Sequence, residues 1–163
     1  MTTATSAHPR TVSRPVSKQR LRLWIRLLRT ARAIEGELRE RLRVEFATTL
    51  PQFDVMAALA RTDAGMTMTE LSRFLMVSNG NVTGIIDRMV TNKLVVRKAP
   101  ADDRRAIIVR LTAKGASQFS RIAKAHEGWV DALLSEFDSV ESESMIRHLD
   151  GLATRIRNGG SRA

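Results

Sequence analysis

Residues 67–112 are TMTELSRFLMVSNGNVTGIIDRMVTNKLVVRKAPADDRRAIIVRLT, the most informative stretch of the chain. In MTELSRFLM the apolar residues Met68, Leu71, Leu75 and Met76 recur at spacings of three, four and one. That predicts a short helix burying this side, with Thr69 as its cap. VSNG is then a tight turn. Val77 is expected to plug the small core, Ser78 to accept a backbone N–H of the next helix, and Gly80 to keep the corner free of side-chain bulk. In the second helix Val82, Ile85, Ile86, Met89 and Val90 form the apolar side. Asn79, Asn81, Thr83, Gly84, Asp87 and Arg88 are left pointing outward. Such a face suits a nucleic-acid groove, because Asn and Thr hydrogen-bond base edges and glycines let backbone approach phosphates.

Beyond Asn92 and Lys93 the pattern changes to LVVRKA, a PADDRR tip and AIIVRLT, with β-branched residues alternating as in a hairpin. Arg104 and Arg105 sit where such a finger would reach a minor groove, with Asp103 close enough in sequence to orient a guanidinium. Helix, turn, polar-faced helix and basic hairpin follow in the order of a winged helix-turn-helix. The fold expected is mainly α with a small β-hairpin wing.

From Leu50 to about Ile156 the chain resembles the MarR family of transcriptional regulators. DDRRAIIVRLTAKG matches that family's D-x-R wing followed by a leucine, a threonine and a helix-opening glycine. By position, the resemblance makes Asp103 and Arg105 the wing pair and Ser78 through Arg88 the major-groove reader. One departure is Lys93, where the family usually has glycine. Asn92 or Lys93 must then take a left-handed turn, which Asn tolerates better.

A chain of 163 residues suits one compact domain or two small ones sharing a core. A net charge of +10 points to a polyanionic partner, nucleic acid first. An anionic membrane fits less well, since no basic amphipathic segment is expected to expose an aromatic anchor. No stretch approaches the roughly 20 apolar residues of a membrane span, and no apolar leader follows the N-terminal charges, so a cytoplasmic protein is expected. Cysteine is absent, which excludes disulfides, thiolate nucleophiles, zinc fingers and thiol-based oxidant sensing.

Residues 1–17, rich in Thr, Ser and Pro without apolar period, read as a flexible basic tail. Lys18 to Ala47 is a long amphipathic helix with Leu21, Trp24, Leu28, Ala31, Leu38 and Leu42 on one side. Lys18, Arg22, Arg26, Arg29 and Arg32 share another arc of about a third of the circumference. No acid precedes Glu35, so these cations await an anion from elsewhere. Three alternatives fit: an acidic segment around Glu136, Asp138, Glu141 and Glu143 of a second subunit or simply solvent, flanking DNA, or a phosphate-bearing effector such as an acyl-coenzyme A.

Pro51 opens the next helix after TTL, with Phe53, Val55, Met56, Leu59 and Ala60 on its core side. In the family, this helix and the long first one border a pocket for a small aromatic ligand. The resemblance therefore makes Trp24, Phe46, Phe53 and Met56 effector-pocket candidates, with Arg22, Arg26 and Arg29 for any phosphates. Thr112 caps a helix running through Phe119, Ile122, Ala123, His126, Trp129, Val130, Leu133, Leu134 and Phe137. Asp138 and Glu141 make a capping box for a last helix with Met145, Leu149, Leu152 and Ile156, ended by Gly159 and Gly160.

The terminal helices carry more apolar surface than the winged domain covers, so they are expected to pair with a second copy as a two-fold homodimer. The organisation expected is 18–49 with 112–158 as dimerisation region and 50–111 as DNA-binding domain. Two reading heads then meet half-sites about 10 base pairs apart. The resemblance implies a repressor released by a small-molecule effector. The arginine stripe together with the resemblance implies an aromatic acid from a degradation pathway, or its CoA thioester, as effector.

Catalysis is not expected. His8, His126 and His148 are scattered, and HExxH, GxSxG and Gly-rich phosphate loops are missing. Arg104 and Arg105 oppose a cation at Asp102 and Asp103, so neither metal nor cofactor is expected. A basic architectural protein coating DNA with little sequence preference is the second reading.

Overall fold

The computed structural model describes residues 15–99 and 107–159. The chain divides into two units, Met1–Glu37 and Leu38–Ala163. The first unit holds the N-terminal part of helix α1 (Val16–Phe46). There Leu21 and Trp24 are each 58% exposed, beside the exposed Lys18, Arg22, Arg26 and Arg29. A basic amphipathic segment does expose an aromatic residue, contrary to expectation. Only Leu38 and Leu42 of α1 are buried, and both belong to the second unit.

The second unit continues with α2 (Leu50–Leu59), β1 (Met66–Thr67), α3 (Met68–Leu75), α4 (Asn79–Thr91), β2 (Val95–Lys98), β3 (Ile108–Leu111), α5 (Ala113–Leu133) and α6 (Ser139–Gly159). The fold is mainly helical, with the hairpin as expected and one strand more. β1 joins β3 antiparallel, giving the order β1-β3-β2 with Met66 opposite Val109 and Val95 opposite Leu111. Two residues are too few to show a period, which is why MT before a helix escaped notice. Gly65 delivers the chain to this strand at φ +80, where a Cβ would meet Arg110 Cγ and the Val109 carbonyl oxygen.

Val55, Met56, Leu71, Val82, Ile86, Met89, Val95, Val109 and Ile122 are fully buried and bring α2 to α5 and the sheet onto one core. Each such side chain contributes about 1.5–3 kcal/mol. Thr49 caps α2 in a capping box with Gln52, as TTLPQ suggests. At α5, Thr112 accepts from the Gly115 backbone at 2.9 Å. At α6, Asp138 and Glu141 exchange bonds of 3.1 and 2.8 Å. α5 ends at Leu133, earlier than the apolar run to Phe137 implied. α6 buries nothing. Among the described residues, no helix is long and apolar enough to cross a membrane.

Thr67, not Thr69, caps α3. Glu70 Oε2 accepts from Thr67 N at 2.8 Å and from Thr67 Oγ1 at 2.9 Å, while Glu70 N donates to Thr67 Oγ1 at 3.2 Å. Only Thr67 has an acid three residues on, so a reciprocal box forms there. These bonds, the backbone one foremost, hold the Glu70 carboxyl below its ordinary value of 4.5. The folded state thus prefers the carboxylate. Its contribution is complete above about pH 4.5 and is lost as the pH falls below that. Thermal melts should show Glu70→Ala less stable than wild type at pH 7, with the gap narrowing on acidification. A constant gap would remove the carboxylate from the cap.

Candidate nucleic-acid interface

Helices α3 and α4 meet across Met76, Val77 and Ser78, and the corner is set by backbone geometry. Met76 lies at φ 53, its N–H donating to Arg73 O and that of Val77 to Ser72 O. These two bonds form a Schellman motif with the left-handed residue just past the helix. That geometry turns Met76 outward at 92% exposure and leaves Val77 39% exposed, so neither fills the core as expected. Gly80 is not at the corner either. It lies inside α4, and a Cβ there would meet nothing within 4 Å.

Ser78 caps α4 through a 3.4 Å bond from Asn81 N. Val82, Ile85, Ile86 and Met89 are buried beneath the helix, and Val90 is the apolar residue of that side that stays outside, at 37%. Gly80, Asn81, Thr83, Gly84, Asp87 and Arg88 are exposed on the opposite side, as predicted. Asn79 starts the helix. Gly84, like Gly80, has open space around it. Each glycine costs a helix about 1 kcal/mol relative to alanine, so two on one face trade stability for a smooth surface.

The far end of α4 is bolted down. Asn92 caps it at φ −80 and Lys93 takes the left-handed place at φ 59, opposite to the preference expected for Asn92. Leu94 N reaches Met89 O and Lys93 N reaches Val90 O, both at 2.9 Å. In this second Schellman motif the residue before the core-bound one turns left-handed. Leu94 is only 5% exposed, so the register assigns that turn to Lys93 whatever its side chain. Thr112 Oγ1 donates to Lys93 O at 2.7 Å and Lys114 Nζ to Asn92 O at 3.0 Å. Gly115 lies against the Leu94 carbonyl with no room for a Cβ. Sequence reasoning found the threonine and the glycine but not the role of Lys114.

A further tie was not foreseen. Asp87 on α4 and Arg97 on β2 pair at 2.6 Å, bracing the polar helix against the hairpin. Opposite charge was the one signal, and it does not specify partners ten residues apart. Asp103, Arg104 and Arg105, like Asp102, lie outside the described residues.

Of the effector candidates, Phe46 and Phe53 belong to one aromatic group. Phe46 is 5.9 Å from Trp129, and Phe53 is 5.9 Å from Phe119 and 4.6 Å from the stacked His126 ring. Burial pushes His126 below its ordinary value of 6.5, favouring the neutral ring. Arg41 stands 5.9 Å over Trp129. Met56 is fully buried core. Trp24, Arg22, Arg26 and Arg29 are exposed in the first unit. A cleft of about 280 Å³ lies between the end of α2, β3 and α5, lined by Leu59, Asp63, Arg110 and Leu111 among others, and shares Phe119 with the aromatic group.

Comparison with known proteins matches residues 48–106 to the model of the MarR family. A solved MarR family transcriptional regulator from Silicibacter pomeroyi is 31% identical, with 86% of this chain and 96% of that one covered at a TM-score of 0.72. The HTH-type transcriptional repressor YetL of Bacillus subtilis is 23% identical over 94 residues, 58% of this chain. That alignment spans 56% of YetL, little more than half its length. A mutant MarR from Escherichia coli, solved with operator DNA, shares the fold at TM-score 0.72 and 23% identity, over 85% of this chain and 98% of that one.

Proposed function

Since the chain belongs to the MarR family of winged-helix transcriptional regulators, we propose that it binds a pseudo-palindromic operator as a two-fold dimer and acts as a ligand-released repressor. The observation that carries this is the two-sided α4, with four side chains buried beneath and Gly80, Asn81, Thr83, Gly84 and Arg88 open above. Asn81 and Thr83 supply hydrogen bonds to base edges, Arg88 reaches a base or phosphate, and the two glycines admit the backbone. Asn79 joins them at the helix start, where the free N–H groups favour phosphate. The wing, with Asp103, Arg104 and Arg105, takes the minor groove.

Pairing follows from what one copy leaves uncovered. Val140, Met145, Ile146, Leu149, Leu152 and Ile156 of α6 are 42–75% exposed, as are Leu133, Leu134 and Phe137 before it at 36–43%. Burying them against a second copy gives residues 18–49 and 112–158 the dimerisation role and leaves 50–111 as the reading head. The effector is a small aromatic acid or its CoA thioester, with its ring against the group formed by Phe46, Phe53, His126 and Trp129. It releases DNA by as much as it prefers the dimer whose heads are badly spaced. Free aromatic acids and their thioesters should be screened by thermal shift. A true effector at 100 times its Kd adds about 2.7 kcal/mol, and a flat response to both classes would remove this effector.

The test of the DNA reading is a specificity ratio at fixed salt, between a selected operator and random duplex. Asn81→Ala should lower the ratio about 10- to 100-fold while leaving random binding intact, whereas Arg105→Ala should weaken both DNAs alike. Equal losses on both DNAs from Asn81→Ala would favour an architectural protein instead, a reading the +10 charge would serve.

A further inference from the structure

Among the described residues, two segments of opposite charge are left largely without counterions, Glu143 being paired with Arg147 at 3.6 Å. Residues 16–34 carry Lys18, Arg20, Arg22, Arg26, Arg29 and Arg32 and no acid. Residues 125–146 carry Glu127, Asp131, Glu136, Asp138, Glu141 and Glu143 and neither Lys nor Arg. All twelve side chains are exposed. Among the described residues, none of the six cations forms an ion pair, nor do Glu127, Asp131 and Glu136. Both segments also expose apolar groups: Leu21 and Trp24 at 58% in the first, Phe137 at 43% and Val140 at 75% in the second.

We infer that these segments clasp each other between two copies of the chain, the basic half of α1 from one lying on the acidic α5–α6 corner of its partner. The inference rests on the dimer proposed above and adds what specifies and tunes it. A second copy is the occupant that satisfies both charge sets and both apolar sets at once. Duplex DNA on the α1 stripe would leave the six acids and their apolar neighbours uncovered, and so would ligand phosphates. From Lys18 to Arg32 the stripe runs about 21 Å along the helix, with a cation every turn. Single exposed ion pairs contribute little, but a row of them against a matching row sets register and partner choice. Two-fold symmetry makes the clasp twice per dimer. Pairing therefore weakens as salt shortens the screening length from about 10 Å at 0.1 M to about 3 Å at 1 M.

The experiment uses full-length chains and sedimentation at micromolar concentration. Variant A carries R22E, R26E and R29E, and variant B carries D131K, E136K and E143K, which spares the Asp138–Glu141 cap. Wild type should be dimeric. A and B alone should each dimerise at least about 100-fold more weakly, about 2.8 kcal/mol at 1.4 per tenfold. An equimolar mixture of A and B should recover the dimer as a heterodimer, because each reversed segment then faces a reversed partner. This rescue also holds if A or B folds poorly alone. A clasp within one chain would not be rescued by mixing, and a mixture that stays monomeric overturns the inference. Variant A as dimeric as wild type but weaker on DNA would overturn it too, by giving the stripe to phosphates. A monomeric wild type would instead sink the dimer itself.

Discussion

Replacing Gly115 by alanine should cost about 2 kcal/mol of folding stability, although alanine is the better helix former. The substitution gains about 1 kcal/mol in helix propensity. Against that, a Cβ at this place is driven into the Leu94 carbonyl oxygen, with Leu111 Cδ2 only 3.2 Å away. A backbone carbonyl is not the end of a flexible side chain and cannot swing aside. Either α5 lifts off the hairpin or the strand entry moves, and forced overpacking of this kind costs 1–3 kcal/mol or more. The damage reaches α4, because the same few residues hold its C-terminus through Thr112 and Lys114. Denaturant unfolding of Gly115→Ala and of Gly128→Ala, where a Cβ meets nothing within 4 Å, makes the comparison. The first should be strongly destabilised and the second not. Equal midpoints would mean that α5 is not seated as described.

Two neighbours on α4 should separate folding from recognition. Ile86 is fully buried and Arg88 is exposed, two residues apart on one helix. Ile86→Ala removes buried methylene groups and leaves a cavity, at a cost of about 2–5 kcal/mol. DNA binding should fall only through the unfolded fraction. Arg88→Ala should change stability by no more than about 0.5 kcal/mol. Its loss should appear in DNA affinity, about 10-fold or more if the guanidinium meets a base edge. Paired melting and binding curves for the two variants decide the matter. An Arg88→Ala protein that binds DNA as wild type does would take this residue out of the interface.

The polar helix was legible because burial imposes a period: Val82, Ile85, Ile86 and Met89 must face inward, so Asn81, Thr83 and Arg88 cannot. Caps were legible in the TTL stretch before Pro51, at Ser78 and Thr112 where a hydroxyl residue opens an amphipathic period, and at Asp138 by its D-x-x-E spacing. Thr67 was missed although its T-x-x-E spacing was present, because Thr69 offered a competing start. Met76 was expected in the core and Asn92 preferred over Lys93 for the left-handed turn, and both expectations fail for a common reason. Hydropathy and turn preference describe side chains, whereas the Schellman bonds fix which backbone position turns left-handed. The Asp87–Arg97 brace and the Lys114 contact depend on distances between elements, which spacing along a chain does not encode. The exposed faces of α1 and α6 were read from surplus apolar surface, and that surplus remains in the single chain.

In the proposed dimer, two α4 faces enter successive major grooves on one side of a duplex. Hydroxyl-radical footprinting of the full-length protein on its tightest selected fragment tests this most directly. Two protected patches about 10 base pairs apart, related by the operator dyad, are the predicted result. A single patch, or even protection along the fragment with no dyad, would contradict it.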